Sequence, residues 1–421
     1  MSSTRLLFIA HRIPYPPNKG DKIRSYNEVL FLSKRFEVDL VCFLEGPEDM
    51  KHLRVLQDLC RTATGFIRGP IHKAWRLFTG FLSRRPLSVA LYDHGGMRAK
   101  ILRLIGEHEY ARIVVFSSQM AQYIPANRLP GAILDYCDVD SHKWDNYADR
   151  LPFYAAWFYR LEARRLFAFE NAASRLALAT LFITPAERQI YVGLGGQGNL
   201  LVMGNGVDTA YFAPGDAGGE APLGETALSQ TSPGGAPVGK APQPEPGRIL
   251  FTGAMDYFPN EEGVAWFAKE VFPFVRKDHP QARFIIAGSN PTARVRALAR
   301  VDGVDVTGFV PDMRAEQAKA HIVVVPLRIA RGMQNKVLEA MSSGKAVVVG
   351  KAAMGGIHAE HGRDLFVAET PEEFRTCLNR LLSDSALVES MGKAARAYIE
   401  EHLSWERNLE HDLLPLLATR P

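Results

Sequence analysis

The sequence contains few cysteines, no long apolar run and little net charge. Its four cysteines are far apart and form no C-x-x-C pair. This spacing excludes a zinc cluster and a disulfide framework, and it fits reduced thiols. No stretch reaches the about 18 apolar residues of a membrane span, and the apolar run from Leu6 to Ala10 is too short for a secretory signal. We therefore expect a cytoplasmic protein without a transmembrane helix.

The charge balance excludes a dedicated nucleic-acid binder. A formal net charge of +4 over 421 residues is small, whereas nucleic-acid binding needs a concentrated basic stripe. One local segment, residues 61–85, is basic and has no acidic residue, and apolar side chains are interleaved with its charges. That pattern suits an amphipathic helix on an anionic membrane surface. It suits equally a surface helix that packs its apolar stripe on a sheet.

The chain is long enough for two domains, and its first half alternates strands with helices. The N-terminal domain, residues 1–212, opens with a strand at Arg5 to Ala10, a helix from about Lys22 to Lys34, and a strand at Val38 to Phe43. Further strands are predicted at Ile113 to Ser117, Ala132 to Tyr136 and Leu178 to Thr184. Strands that alternate with helices indicate a parallel sheet.

Residues 213–247 interrupt this pattern, because 15 of these 35 residues are Gly or Pro. We expect a disordered linker or insertion there. The alternation then restarts in a second domain, residues 248–370, and residues 371–421 read as helices that cross back to the first domain. The predicted strands are Arg248 to Thr252, Arg283 to Ala287, Val304 to Thr307, Ile322 to Pro326 and Ala346 to Val349.

Two such units predict an α/β fold with two doubly wound, Rossmann-like domains that face each other across a cleft. Helix N-termini at the carboxyl ends of the strands present N–H groups and the positive end of the helix dipole. We therefore expect a diphosphate to bind in the cleft.

The most informative motif is IVVVPLRIARGMQNKVLEAM, residues 322–341. A buried strand precedes a loop with Arg328, Arg331 and Gly332, and a helix then begins near Asn335 and carries Lys336 and Glu339 one turn apart. These cations and the helix N-terminus would stabilise the charge that develops on a departing diphosphate, and Glu339 could accept hydrogen bonds from a ribose. The alternative is a solvated loop and a surface Lys/Glu pair.

A glycine near the N-terminus is a second candidate for phosphate binding. Gly20 stands before the first helix with Lys19 and Arg24 nearby, and a glycine lets backbone N–H groups approach a phosphate closely. The alternative is a Pro/Gly-rich turn that starts a helix.

The segment DYCDVDSH, residues 135–142, ends a strand and allows several interpretations. Asp138 and Asp140 form a D-x-D triplet, whose carboxylate oxygens could bind Mg²⁺ or Mn²⁺ beside a diphosphate. Alternatively, Asp138 or His142 would orient or deprotonate a substrate hydroxyl. Helix capping by an aspartate is the remaining alternative.

The glycine-rich run GLGGQG, residues 193–198, matches a dinucleotide fingerprint only in its letters. It follows a helical pattern and precedes a strand, which is the reverse of the required order. We interpret it as a helix stop. The main sequence evidence for an NAD-dependent enzyme is thereby removed.

Several motifs together resemble the family-4 retaining GT-B glycosyltransferases. LEAMSSGKAVVV is similar to the donor-site signature of that family, and ILFTGAMDYFPNEEGVAWF, FIIAGSNP, VTGFVPD and GNGVD are similar to its other landmarks. HRIPYPPNKGDKIRSYN and LDYCDVDSHKWDNYA most resemble the sugar transferases of exosortase-type exopolysaccharide systems.

The resemblance implies transfer of a sugar with retention from a UDP- or GDP-sugar to a glycan or lipid-linked acceptor, with no cofactor and no metal required. It implies an enzyme of the cytoplasm, peripheral on the inner face of the membrane if residues 61–85 contact it. The expected catalytic residues are Asp138, His142 and Arg331. The expected donor-binding residues are Gly20, Gly253, Phe309, Arg328, Arg331, Gly332, Asn335, Lys336, Val337, Leu338 and Glu339.

The sequence departs from that family at two places. Arg331 stands where the first of two paired glutamates is usual. The arginine and lysine that commonly follow the first strand of the second domain are also missing, and Ala254, Met255 and Asn260 stand there. We hypothesise that Arg328, Arg331 and Lys336 supply this charge. The missing glutamate leaves open a non-catalytic nucleotide-sugar-binding subunit, and a GT-B nucleotide-sugar epimerase is a third alternative.

Overall fold

A computed structural model describes residues 4–17, 19–69, 75–76, 79–80, 83–148, 152–214, 242–330 and 333–418. The described residues form two compact units. The first contains those up to Gly204 together with those from Asn408 onward, and the second contains those from Asn205 to Arg407. Most of the predicted linker, residues 215–241, lies outside the described residues.

The N-terminal unit is built on a sheet of seven parallel strands in the order β3-β2-β1-β4-β5-β6-β7. The strands are β1 (Arg5–Ala10), β2 (Glu37–Leu44), β3 (Thr62–Ile67), β4 (Arg112–Phe116), β5 (Ala132–Cys137), β6 (Ala179–Phe182) and β7 (Leu200–Val202). Its α-helices before β7 are α1 (Gly20–Ser33), α2 (Met50–Leu59), α3 (Leu87–Leu91), α4 (Gly95–Glu107), α5 (Asp140–Ala148), α6 (Phe153–Ser174) and α7 (Pro185–Gly193). Short 3-10 turns span Pro47–Asp49, Ser118–Tyr123 and Ala126–Gly131.

Most strands of this sheet contain continuous apolar runs, which is typical of parallel sheets that are covered by helices on both faces. All of Leu6 to Ala10 in β1 is fully buried, as expected for a strand covered by helices on both faces. The strand order reverses between β1 and β4, and ligands of doubly wound sheets bind outside the carboxyl ends of the strands at such a point.

The C-terminal unit contains six parallel strands in the order β10-β9-β8-β11-β12-β13. They are β8 (Arg248–Thr252), β9 (Arg283–Ala287), β10 (Val304–Gly308), β11 (Ile322–Val325), β12 (Ala346–Gly350) and β13 (Phe366–Ala368). The helices are α8 (Phe258–Trp266), α9 (Phe272–Asp278), α10 (Ala293–Arg296), α11 (Met313–Lys319), α12 (Asn335–Ser342), α13 (Pro371–Ser383) and α14 (Ser385–His402). Turns of 3-10 or π type span Phe267–Val271, Ala297–Arg300 and Lys351–Met354.

The end of the chain belongs to the N-terminal unit. Helix α15 (Trp405–Asn408) leads through a π turn at Leu409–Leu413 into α16 (Leu414–Ala418). Arg112 Nε donates to the Leu416 carbonyl at 3.0 Å, and Arg35 pairs with Glu410 at 2.6 Å. These bonds connect residues more than 300 apart in sequence.

Three glycines shape the carboxyl edge of the second sheet. Gly253 follows β8, Gly288 follows β9, and Gly308 ends β10. The Gly288 N–H donates to the Gly308 carbonyl at 3.0 Å. A Cβ built on Gly288 would lie 1.7 Å from the Gly253 carbonyl oxygen, so any larger residue would push the two loops apart. This edge therefore exposes backbone rather than side chains.

The strands predicted from the sequence agree closely with those observed, but one segment was predicted incorrectly. Residues 62–67, within the expected basic helix, form strand β3 along β2. The reason is packing, because a Cβ on Gly65 would lie only 2.7 Å from the Leu44 side chain, and Thr62 and Thr64 favour a strand. The helix stop is confirmed, since α7 ends at Gly193 and Gly195 has a φ of 91°. None of the described helices is long and apolar enough to span a membrane.

Candidate functional site

A cavity of about 340 Å³ opens at the carboxyl edge of the C-terminal sheet. It is enclosed by the loops after β8, β9 and β10 and by the first turns of α11 and α12. The lining residues are Thr252, Gly253, Gly288, Ser289, Phe309, Val310, Met313, Asn335, Lys336 and Glu339. The cavity lies beside the strand-order reversal between β8 and β11, where ligands of doubly wound sheets bind.

Backbone hydrogen bonds tie the cavity loops to one another. The Gly253 N–H donates to the Ala287 carbonyl at 3.1 Å, and the Met255 N–H donates to the Ser289 carbonyl at 2.8 Å. Each loop therefore continues the ladder of the strand before it. The cavity wall is an extension of the sheet, which favours a preformed ligand site.

Helix α12 directs Lys336 and Glu339 toward the cavity because its other face is apolar. Val337 and Leu338 are buried in the hydrophobic core of the C-terminal unit. The helix cannot rotate without exposing them, so the residues one position before and after, Lys336 and Glu339, stay on the cavity side. The N-terminus of α12 at Asn335 also opens toward the cavity, and its dipole favours an anion there.

The ammonium of Lys336 is held by neutral groups. Its Nζ donates to Asn260 Oδ1 at 2.5 Å and lies 4.8 Å from the centre of the Phe251 ring. Burial lowers the pKa of Lys336 to about 8, and the charge of Glu339 opposes this shift only in part. A buried cation that contacts an amide and an aromatic face is a strong attractor for an anion.

The structure brings five of the predicted donor-binding residues together. Gly253, Phe309, Asn335, Lys336 and Glu339 all line the cavity. The exposed fraction of Phe309 is 59%, so its ring is available to a planar group. Arg331 and Gly332 lie outside the described residues.

Arg328 lines a different hollow. It belongs to a cavity of about 180 Å³ at the ends of β11, β12 and β13, together with Lys351 and Glu369. Its guanidinium pairs with Glu262 at 3.1 Å and stacks over the Trp266 ring, 5.5 Å from the ring centre. The structure therefore separates Arg328 from Lys336, and the third cation expected to act with them, Arg331, lies outside the described residues.

Sequence reasoning missed half of the cavity lining. Thr252, Gly288, Ser289, Val310 and Met313 were not predicted as site residues. A usable signal was present, because a glycine follows or ends each of the strands β8, β9 and β10. Glycine repeated at the carboxyl ends of adjacent parallel strands indicates a place where a ligand approaches the backbone closely.

In the N-terminal unit, Lys143 lies between the two aspartates of the D-x-D triplet. Its Nζ is 2.9 Å from Asp138 Oδ2 and 2.9 Å from Asp140 Oδ1. Burial would lower the pKa of Lys143, but the two carboxylates raise it above its usual value. The lysine ammonium therefore occupies the position between the two carboxylates where the metal hypothesis needs the ion. Within the described part of the chain, no group of three or more His, Cys, Asp and Glu side chains is placed to hold a metal ion.

The other acceptor-side candidates lie at the carboxyl edge of the N-terminal sheet. The Asp138 side chain is 41% exposed. His142 is half-buried, and its Nδ1 has no hydrogen-bond partner among the described residues. Ser117 and Cys137, which follow β4 and end β5, have φ values of 80° and 60°. Such strained non-glycine residues tend to collect at functional sites.

Gly20 is the first residue of α1, and a Cβ added to it would meet no atom within 4 Å. We therefore expect Gly20→Ala to fold normally and to raise the free energy of unfolding by up to about 1 kcal/mol, because alanine is the better helix former. Thermal unfolding of the two proteins measures this change. A loss of stability would show that the first turn of α1 needs glycine for a reason the structure does not contain.

Acidic residues outside the basic segment pair with three of its arginines. Arg61 forms an ion pair with the buried Asp39. Arg76 and Arg85 both pair with Asp93, at 3.2 and 3.0 Å. Burial would raise the pKa of Asp93, but these arginines and Arg98 lower it below its usual value. Lys73 lies outside the described residues.

The C-terminal unit matches the family model Glycosyl transferases group 1 over residues 246–384. The whole chain is similar to solved structures. HepE from Anabaena in complex with UDP has a TM-score of 0.62 at 15% identity, over 99% of this chain and 100% of that one. Sucrose-phosphate synthase from Thermosynechococcus elongatus has a TM-score of 0.58 at 16% identity, over 98% of each chain. WaaG, a glycosyltransferase involved in lipopolysaccharide biosynthesis, has a TM-score of 0.57 at 14% identity, over 96% of this chain and 98% of that one.

The fold is GT-B. The predicted α/β class with two doubly wound units is thereby confirmed. A comparison with curated protein sequences gives no match. The residues that the family model matches include all of those that line the cavity at Lys336, and the match supports the prediction of a glycosyltransferase.

Proposed function

We propose that this GT-B protein transfers a sugar from a nucleotide-sugar donor to an acceptor hydroxyl, and that the cavity lined by Lys336 and Glu339 binds the donor. The observation that carries the proposal is the half-buried Lys336 side chain, whose ammonium is held by Asn260 beside the glycine loops. A diphosphate fits this arrangement because it brings negative charge and needs close approach to backbone N–H groups.

The same residues would assist the chemistry. As the bond between the sugar carbon and the diphosphate oxygen breaks, its electron pair moves onto the diphosphate. Lys336 and the N-terminus of α12 stabilise that charge without reorganisation, since both are fixed by the core. The acceptor oxygen forms the new bond to the sugar, and its proton passes to the departing diphosphate or to solvent. Glu339 would hold the ribose, and Phe309 would lie against the base.

The finer substrate assignment draws on the similar proteins and on the sequence motifs. HepE was solved with UDP and with UDP-glucose, which supports a UDP-sugar, with a GDP-sugar as the alternative. WaaG acts in lipopolysaccharide biosynthesis, which supports a glycan or lipid-linked acceptor, and the motifs favour exopolysaccharide synthesis. We propose retention of anomeric configuration, no required metal, and action in the cytoplasm, with the part of residues 61–85 that follows strand β3 as a membrane contact.

Incubation of the purified chain with UDP- and GDP-sugars tests the proposal. We expect release of the nucleoside diphosphate and transfer of the sugar, with the anomeric configuration read by proton NMR. Binding without turnover would instead favour a non-catalytic nucleotide-sugar-binding subunit, and a new nucleotide sugar formed without acceptor would favour an epimerase. Single alanine variants of Asp138, His142 and Arg331 test their proposed catalytic roles.

The pKa of Lys336 gives a pH dependence with a definite sign. The ammonium form binds the diphosphate, and its population in the free protein halves at about pH 8. We expect the affinity for UDP to be constant well below pH 8 and to fall by up to about tenfold per pH unit above it. Calorimetric titration between pH 6.5 and 9.5 measures this profile. An affinity that rises with pH would contradict a role for this ammonium.

A further inference from the structure

We infer that Asn260 is a positioning residue, which holds the Lys336 ammonium at the cavity and leaves its charge available to an incoming anion. This inference rests on the proposed function and extends it to a residue in a different helix from the donor motif. Asn260 lies in α8, 76 positions before Lys336. Its positioning role follows from its hydrogen bonds, from the residues packed against it and from its uncharged side chain.

The amide of Asn260 forms a buried bridge. Its Oδ1 accepts from Lys336 Nζ at 2.5 Å, and its Nδ2 donates to the Ala254 carbonyl at 2.8 Å. Only 3% of Asn260 is exposed. Both of its polar atoms are therefore used, one on the lysine and one on the loop after β8. The bridge fixes the distance between the ammonium and that loop.

Gly253 makes the bridge possible. A Cβ on Gly253 would lie 2.7 Å from Asn260 Nδ2 and 3.2 Å from Lys336 Nζ. Any larger residue would press on both partners, so the glycine, the amide and the ammonium form one packed group. The group reaches the cavity, because Gly253 and Lys336 both line it.

Helix α8 also contacts a second cation, Arg328, but through a carboxylate and not an amide. Two positions further along α8, Glu262 pairs with Arg328. In the smaller hollow, Lys351 likewise pairs with Glu369, at 3.2 Å. These cations are neutralised by carboxylates, whereas Lys336 receives an amide. An amide orients the ammonium by a hydrogen bond without cancelling its charge, and a diphosphate need not displace a competing anion.

The groups around the Lys336 ammonium leave most of its charge uncompensated. On its own helix, Glu339 is the charged group that acts on the ammonium. The sides formed by α8 and β8 present Asn260 and the Phe251 ring, and both are neutral. A carboxylate at position 260 would place a negative charge within hydrogen-bond distance of this ammonium.

Asn260→Asp and Asn260→Ala distinguish positioning from simple packing. The aspartate would pair with Lys336, raise its pKa and compete with the ligand, so we expect the affinity for inorganic pyrophosphate to fall by about tenfold or more. The alanine removes the bridge but adds no charge, and we expect a smaller loss. A purely structural role predicts a loss of stability in both variants while the affinity of the folded protein for pyrophosphate stays at the wild-type value.

The control is Asn199→Asp. Asn199 precedes β7 in the N-terminal unit, and its Nδ2 also donates to a backbone carbonyl, that of Leu178, at 2.9 Å. The control therefore repeats the charge change and the lost hydrogen bond at the amino end of a strand. We expect it to leave pyrophosphate affinity unchanged.

Two measurements complete the test. NMR of ¹³Cε-labelled lysine follows the titration of Lys336 without ligand, and calorimetry gives the pyrophosphate affinity. The inference predicts a higher titration point in Asn260→Asp than in the wild type, no such rise in Asn260→Ala, and weaker binding in both. Wild-type affinity in Asn260→Asp, or an unchanged titration point, would overturn it. Failure of the wild type to bind pyrophosphate, UDP or GDP would instead overturn the proposed function itself.

Discussion

Lys336→Met is expected to weaken the binding of UDP and GDP by roughly ten- to a hundredfold, because a hydrogen bond to a charged group contributes about 1.5 to 3 kcal/mol. Methionine keeps the length and much of the volume of the side chain. The buried methylene groups of Lys336 are therefore replaced and only the ammonium is lost. Inorganic pyrophosphate should lose affinity by a similar factor, since the ammonium is proposed to contact the diphosphate.

Lys345, at the amino ends of the strands of the same sheet, offers a matched control. Lys345 precedes β12, and its Nζ donates to the carbonyls of Ala318 and Ala320 at 2.9 and 3.0 Å. Burial lowers its pKa to about 8, as it does for Lys336. We expect Lys345→Met to unfold at a lower temperature and to bind UDP with wild-type affinity. Equal losses of affinity in the two variants would show that burial of a lysine, and not its place at the cavity, matters.

Glu339→Gln is expected to weaken the binding of UDP but not the binding of pyrophosphate. The carboxylate accepts from the ribose hydroxyls in the proposed complex, so we expect UDP affinity to fall by about tenfold. Pyrophosphate has no ribose, and removal of a nearby negative charge should leave its affinity unchanged or slightly higher at neutral pH. Glu339→Gln should therefore lower the affinity for UDP without lowering that for pyrophosphate, whereas Lys336→Met should lower both.

The Glu339 variant also predicts a change in pH dependence. Glu339 raises the pKa of Lys336 against the effect of burial, so its neutralisation lowers that pKa below about 8. The decline of pyrophosphate affinity should begin at a lower pH than in the wild type. Glu389→Gln is the control, because Glu389 is exposed and pairs only locally with Lys393. Equal responses of UDP and pyrophosphate to Glu339→Gln would contradict the ribose assignment.

The alternation of strands and helices was predictable because parallel strands buried on both faces leave continuous apolar runs. The bounds of β1, β8 and β9 agree with the observed ones to the residue. Strand β3 was not predictable in the same way, because it lies at the sheet edge and depends on the contact between Gly65 and Leu44. Its basic neighbours suggested a helix that packing excludes.

The site was predictable where it is local in sequence. Lys336 and Glu339 belong to one amphipathic helix, and their shared direction follows from helical spacing. The contact between Lys336 and Asn260 could not be predicted, since it joins residues 76 apart. Proximity in sequence was also misleading for Arg328. It predicted that Arg328 shares a pocket with Lys336, whereas the Arg328 guanidinium binds Glu262.

A crystal structure of the protein with UDP would show directly whether the cavity at Lys336 is the donor site. We expect the diphosphate within hydrogen-bond distance of Lys336 Nζ, the ribose hydroxyls facing Glu339, and the base near Phe309. UDP bound to another surface of the C-terminal unit, with the cavity beside Gly253 left free, would contradict this assignment.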